Sequence, residues 1–348
     1  MSNNSNLHKA KKAKNDEFYT MLSDIENELM HYREHFNGKV VYCNCDDARW
    51  SNFVKYFQIN FAVLGLKKLI ATGYGKNSRG IKLVYDSDHK DANVEELEGD
   101  GDFRSEECVE LLKQADIVVT NPPFSLFRPY VAQLVEHGKK FLIIGNMNAI
   151  TYKEIFPLIK ANRLWLGYGF NKTMKFRLNE SYEKWNEICD GKKYGKVPAV
   201  TWFTNLDHNK RHEKLILTEK YDQEKYQKYD NFNCIRIKRT CDIPSDYNGF
   251  MGVPITFLGV YNPNQFEILD GLNRYTIFDY FKVNEHVRAK HSHCTNVNGK
   301  ATFFAILIRR KPVGENAETP AAHRRERESG AVLPGARTRK VKFWIDNG

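Results

Sequence analysis

The stretch that decides the reading is Asp116-Ile117-Val118-Val119-Thr120-Asn121-Pro122-Pro123-Phe124. Its short run of β-branched residues reads as a buried strand. The two prolines end it, because proline has no N–H to give to a sheet ladder. In open α/β sheets, ligands bind beyond the carboxyl ends of the strands, so Asn121 to Phe124 stand where a ligand would. These four residues suit a planar amine. The Asn121 amide oxygen and the Pro122 carbonyl can accept its two hydrogens, Pro123 stiffens that carbonyl at little entropic cost, and Phe124 offers a ring face. At average residue usage this tetrapeptide arises by chance in only about one chain of this size in several hundred. The competing reading is a Pro-Pro strand exit followed by a buried Phe.

Strands and short helices alternate on either side of this stretch. Ser23-x-x-Glu26 reads as a capping box opening a helix with Ile25, Leu29, Tyr32 and Phe36 on one face, stopped at Asn37-Gly38. Strands are expected at Val40–Cys43 and Leu66–Ala71, with an added hairpin or loop strand at Ile81–Tyr85. Helices are expected from about Ser51 to Phe57 and around Glu106–Gln114. After strand Asp116–Thr120 come helix Leu126–His137, strand Lys140–Gly145, helix Tyr152–Lys160 and strand Arg163–Gly167. Such alternation predicts a mostly parallel sheet with helices on both faces, the doubly wound α/β class. Beyond about residue 170 the rhythm changes. Val197–Phe203 still reads as a strand, residues 205–238 are dense in Lys, Tyr, Asn and Asp, and 248–258 and Phe303–Ile308 read as further strand segments. Residues 1–14 read as a basic, flexible arm, and 312–348 as a disordered tail of atypical composition without a role in chemistry.

The 348 residues suffice for a large core. Seven cysteines without a C-x-x-C pair argue against a disulfide framework and a zinc ribbon. No apolar run is long enough to cross a bilayer and no signal core opens the chain, so a cytoplasmic location is expected. The net charge of +10 favours a phosphate-bearing partner, although a lysine-rich solvated face accounts for it equally well. No Pro-Cys pair occurs, which excludes methylation at cytosine C5, where a thiolate nucleophile must attack the ring.

Cys43-Asn44-Cys45-Asp46-Asp47 follows the first strand at a nucleotide-type cofactor position, without the usual glycine-rich turn. Its carboxylates can take an ammonium group, or can cap and open the next helix. A metal reading of this cluster lacks a second ligand pair, and none is expected. Asp102 and Phe103 can hold an adenine amine and ring, or form a capped turn. Trp202 and Phe203 can stack on an extruded base, or fill the core of a strand. His291, His293 and Cys294 read as a polar loop.

The segments HKAKKAKNDEFYT, VVYCNCDDARWSNF, GDGDFRS, DIVVTNPPFSLF, KKFLIIGNMNAITYKEIF and DYNGFMGVPITFL, in this order across residues 7–310, resemble the EcoRI-type adenine-specific DNA methyltransferases. A strand followed by Asn-Pro-Pro-aromatic is the motif of amino-methyltransferases. The resemblance implies a Rossmann-like class I fold dependent on S-adenosylmethionine, with a catalytic domain at 15–205 and a target-recognition region at 206–311. It implies methylation of adenine N6 in double-stranded DNA by a monomer, in a restriction-modification setting. It carries the catalytic role to Asn121, Pro122, Pro123 and Phe124. Cofactor contacts fall to Phe18, Tyr19 and Thr20 at the methionine end, to Asn44, Asp46 and Asp47 in the divergent first motif, and to Asp102 and Phe103 at the adenine. The second strand (LIATGYG) ends without an acid, so the ribose ligand is unassigned, and Met21 stands where wider relatives carry proline after the aromatic-Tyr-Thr element. Arg236, Lys238 and Arg239 are candidate phosphate contacts, or a basic edge strand. An RNA or protein-glutamine acceptor and a non-catalytic DNA-binding relic are the competing functions.

Overall fold

The structure, a computed structural model, describes residues 19–87, 94–178, 185–197, 199–230, 233–272 and 295–312. Expectations for the arm and Phe18, for His291, His293 and Cys294, and for the tail from residue 313 lie outside the described residues.

The central sheet has eight strands: β1 Val40–Cys43, β2 Lys68–Gly73, β3 Ile81–Asp86, β4 Glu95–Glu96, β5 Ile117–Thr120, β6 Lys140–Asn146, β7 Trp165–Leu166 and β8 Val200–Thr204, in the spatial order β4-β3-β2-β1-β5-β6-β8-β7. Its middle four strands, β2, β1, β5 and β6, are parallel. Both flanks are antiparallel, so the expectation of a mostly parallel sheet holds for the middle alone. Chain length explains one flank. The link from Gly73 to Ile81 is too short for a crossover helix, which leaves β3 only the antiparallel direction.

Five α-helices occur among the described residues: α1 Leu22–Leu29, α2 Asn52–Ile59, α3 Glu106–Gln114, α4 Phe127–Glu136 and α5 Phe156–Lys160. Successive strand residues feed opposite faces of the sheet. Val40, Tyr42, Val118, Phe141 and Ile143 pack with Leu112 of α3 and Tyr130, Val131 and Leu134 of α4. Val41, Cys43, Val119 and Leu142 pack with Ile25 and Leu29 of α1 and Phe53 and Phe57 of α2. Helices on both faces explain why every residue of β1 and β5 is buried. Each such apolar side chain contributes roughly 1.5–3 kcal/mol.

Helix starts follow local chemistry in two cases. Ser51 caps α2, its Oγ accepting from the Phe53 N–H at 3.1 Å, and Ser105 caps α3 by accepting from Cys108 N–H at 3.3 Å. The capping box expected at Ser23 does not form. α1 begins at Leu22 with Met21 as an N-cap lacking a side-chain bond. The strand Tyr19–Thr20 pairs with Lys175–Arg177, and Asp24 accepts from the Lys175 N–H, so tertiary pairing sets the entry point. The helix expected to run to Asn37-Gly38 ends at Leu29 and is continued by turns and a 3-10 segment at Arg33–His35, with Gly38 at φ +70° turning the chain into β1.

A small antiparallel sheet orders Tyr19–Thr20, Lys175–Arg177, Lys192–Lys196 and Glu187–Cys189. A third sheet orders Cys234–Arg236, Phe250–Pro254, Ala305–Arg310 and Phe266–Leu272. Its Ile235, Met251, Val253, Ile306 and Ile308 join the core on the α3–α4 side of the central sheet. The final strand starts two residues later than expected, leaving Phe303 exposed. No helix among the described residues is long and apolar enough to cross a membrane.

Candidate active site

The carboxyl ends of the parallel strands converge on one edge, and Asn44, Asp46, Asp47, Asp102 and Asn121 lie along it. β5 delivers Asn121 and the buried Pro122, and a short 3-10 turn, Phe124–Leu126, then leads into α4. The Asn121 Nδ2 donates to Thr20 Oγ1 at 3.3 Å, a contact that holds the amide at the strand end. Thr20 is held in turn: Asn52 Nδ2 donates to its carbonyl at 2.8 Å. The half-buried Phe124 packs at the edge of the core.

One turn past β1, Asp46 is buried and joins two strand ends. Ser51 Oγ donates to its carboxylate at 2.6 Å, Thr120 Oγ1 donates to the other oxygen, and the Asp46 N–H donates to the Thr72 carbonyl at 2.9 Å. Burial pushes its pKa up to about 6, against the two hydroxyl bonds that lower it. Asn44 is 2% exposed; its Oδ1 accepts from the Tyr130 hydroxyl, while its Nδ2 has no partner among the described residues. A buried donor left unpaired is costly, on the order of 1–3 kcal/mol, and suits an acceptor on a ligand.

Close backbone approach brings the Asp100–Phe103 loop to the same edge. Gly75 N–H donates to the Asp100 carbonyl at 2.8 Å. A Cβ on Gly101, itself at φ +78°, would sit 2.6 Å from the Gly73 carbonyl oxygen, and one on Gly73 would meet Asp47 Cα at 2.8 Å. Asp102 is forked onto Arg104, with Nε at 2.8 Å and Nη2 at 2.6 Å, and this bonding lowers its pKa. Asp47 is similarly forked onto Arg49. A ligand at either carboxylate would share it with an arginine. Phe103 is buried against Tyr130, with centroids 5.0 Å apart, and forms the floor of this edge rather than an open stacking face.

Two expected base-stacking residues are placed otherwise. Trp202 and Phe203, in β8, are 3% and 0% exposed. They point to opposite faces of the sheet, Trp202 against Phe53 and Phe203 against Phe127. Both are core residues and neither ring is open to a base. Arg236 is half-buried, Lys238 exposed, and Arg239 exposed but forked onto Asp242 at 2.8 Å. Sequence reasoning missed Asn52, Thr120 and Tyr130, whose roles depend on partners 32, 74 and 86 residues away. Ser51 was legible only as a helix start.

An amide held at the mouth of a parallel strand, beside a buried carboxylate and a buried amide with one unpaired N–H group, suits the holding of a planar amine. The chain belongs to the family described as adenine-specific methyltransferase EcoRI, whose model matches residues 6–311. It is 48% identical over 332 residues to the Type II methyltransferase M.EcoRI of Escherichia coli, covering 88% of this chain and 96% of that protein. It is 42% identical over 314 residues to the Type II methyltransferase M.MpnI of Mycoplasma pneumoniae (88% and 98%) and 41% over 318 residues to M.MgeORF184P of Mycoplasma genitalium (88% and 99%). No solved structure matches the chain.

Proposed function

We propose that this protein is a site-specific DNA methyltransferase of Rossmann-like class I architecture that methylates N6 of an adenine turned out of duplex DNA. It serves as the cytoplasmic modification enzyme of a type II restriction-modification system. The observation that carries this reading is the Asn121 amide, oriented by Thr20 at the carboxyl end of β5, within a chain that belongs to the adenine-specific methyltransferases.

The amine of adenine is a weak nucleophile because its lone pair is delocalised into the ring. Acceptance of its two hydrogens by Asn121 Oδ1 and the Pro122 carbonyl draws the nitrogen towards sp3 character and localises the lone pair. Phe124 supports the ring of the extruded base. Catalysis here is positioning and electrostatics, without a covalent enzyme intermediate.

The donor set at this edge fits S-adenosylmethionine, which when bound supplies an electrophilic methyl on a sulfonium. Tyr19, Thr20, Asn44, Asp46 and Asp47 are assigned to its methionine end, the free Asn44 Nδ2 to a carboxylate or hydroxyl oxygen, and Asp102 with the Phe103 backbone to its adenine. The region 206–311 is assigned to target recognition, with Arg236 and Lys238 as phosphate contacts. A monomer suffices for one adenine per encounter.

The test is transfer of radiolabelled methyl from S-adenosylmethionine to unmethylated plasmid, followed by nucleoside chromatography. Label in N6-methyl-2′-deoxyadenosine, lost in Asn121→Ala with DNA and cofactor binding kept, is expected. Label in RNA or protein alone would overturn the substrate; full activity of Asn121→Ala would overturn the mechanism.

A further inference from the structure

The small sheet that carries Thr20 has a second face. Cross-strand partners in an antiparallel pair point the same way. Thr20, Phe176 and Gly195 therefore turn inward, Thr20 to Asn121 and Phe176 into the core. Tyr19, Arg177 and Tyr194 form one outward row, with Glu187 at its end, and Lys175 and Lys196 form the next. Lys192, two residues before Tyr194, continues this face.

Cations and aromatic rings interleave on it. The Arg177 guanidinium lies 4.3 Å from the Tyr19 ring centroid and 5.9 Å from that of Trp50, which is 45% exposed. Lys175 Nζ lies 5.5 Å from the Tyr194 centroid. Among the described residues of these strands, four cations, Lys175, Arg177, Lys192 and Lys196, thus share this face with one acid, Glu187, which is ion-paired with Lys175. Stacking holds a guanidinium in place while leaving its N–H edge available. A preorganised fork of donors matches a phosphate.

We infer that this outward face is a docking surface for the sugar-phosphate backbone of duplex DNA beside the target adenine; this rests on the DNA methyltransferase reading above. Charge complementarity selects the occupant, and the strand Tyr19–Thr20 supplies the link to chemistry. Consecutive residues point to opposite faces, so the phosphate-binding row begins one residue from the side chain that orients Asn121. Docking there presses on the anchor of the catalytic amide. The surface lies outside the 206–311 segment.

The experiment measures binding of the full chain to an unmethylated duplex by fluorescence anisotropy across a salt series. The variant is the triple Lys175→Gln, Lys192→Gln, Lys196→Gln. About 0.9 of the slope of log affinity against log salt is lost per phosphate contact removed. The triple variant is thus expected to lower the slope by roughly 2–3 and weaken low-salt binding at least about tenfold. Thermal midpoint and S-adenosylmethionine affinity stay at parental values. Glu187→Gln acts in the opposite direction and tightens binding, which keeps the test informative if the triple variant folds poorly. Parental slope and affinity in the triple variant would overturn the surface while parental DNA methylation left the enzyme assignment standing. A parent that neither binds nor methylates duplex DNA would remove both.

Discussion

Thr20 Oγ1 accepts a hydrogen bond from Asn121 Nδ2 at 3.3 Å across 101 residues of sequence. The bond ties the two-residue strand Tyr19–Thr20 to the Asn-Pro-Pro-Phe motif at the centre of the main sheet. It holds the amide at the strand end, and in the proposed reaction the placement of its oxygen matters most.

Thr20→Val removes the hydroxyl at nearly constant volume and withdraws this hydrogen bond from the amide. A fall in kcat of about 10- to 100-fold is expected, or roughly 1.4–2.7 kcal/mol of barrier, while Thr20→Ser retains most of the rate. Steady-state kinetics with cofactor affinity measured in parallel separate orientation from binding. Parental kcat in Thr20→Val would contradict the role.

Asp46 gives the stability of the fold a specific pH dependence. Its folded pKa, about 6, lies above the ordinary aspartate value of 3.8 because of burial. Between these values the folded chain binds more protons than the unfolded chain, so this group's contribution to stability falls as pH rises through the window and levels off above about 6. The change amounts to about 3 kcal/mol at most. Urea unfolding between pH 4 and 7 should show a steeper decline for the parent than for Asp46→Asn. Parallel curves would contradict a carboxylate buried in this state.

Trp202 is a core residue, so Trp202→Ala is expected to cost about 3–5 kcal/mol of stability. Affinity of the folded variant for duplex DNA should be unchanged. Chemical denaturation and anisotropy read the two effects independently. A large loss of affinity with little loss of stability would restore a stacking role.

Glu28 is a buried carboxylate on α1 that gathers three donors: the Tyr32 hydroxyl at 3.0 Å and the backbone N–H groups of Tyr168 and Gly169 at 2.6 and 2.8 Å. Gly167 leaves room for it, since a Cβ there would meet Glu28 Oε1 at 2.5 Å. Glu28→Ala strands the Gly169 N–H and the Tyr32 hydroxyl proton, while the Tyr168 N–H keeps the Tyr32 oxygen at 3.0 Å, and is expected to destabilise the protein by about 2 kcal/mol or more, with Glu28→Gln milder. A melting midpoint within a degree of the parent would show that the loop after β7 does not depend on this carboxylate.

The small sheet behind the inferred DNA surface was only partly legible. Its hairpin turns through Asp190 and Gly191 at φ +49° and +70°, an Asp-Gly turn of the type that favours two-residue hairpins. That dipeptide was readable. The pairing of residues 175–177 with residues 19–20 was not, because a two-residue strand carries no periodicity and its partner is set by tertiary packing.

Local chemistry determined much by itself. Short apolar runs marked β1, β5 and β6, Ser51 marked a helix start, and Pro122-Pro123 marked the end of a strand where ligands bind, because each signal arises within a few residues. The segments in order along the chain pointed to the methyltransferase family for the same reason. Tertiary structure alone decided that Thr120 and Ser51 meet on Asp46, that Tyr130 engages Asn44, and that Trp202 and Phe203 are enclosed. Contacts spanning tens of residues depend on how strands are ordered and which faces are covered. Local propensity encodes neither.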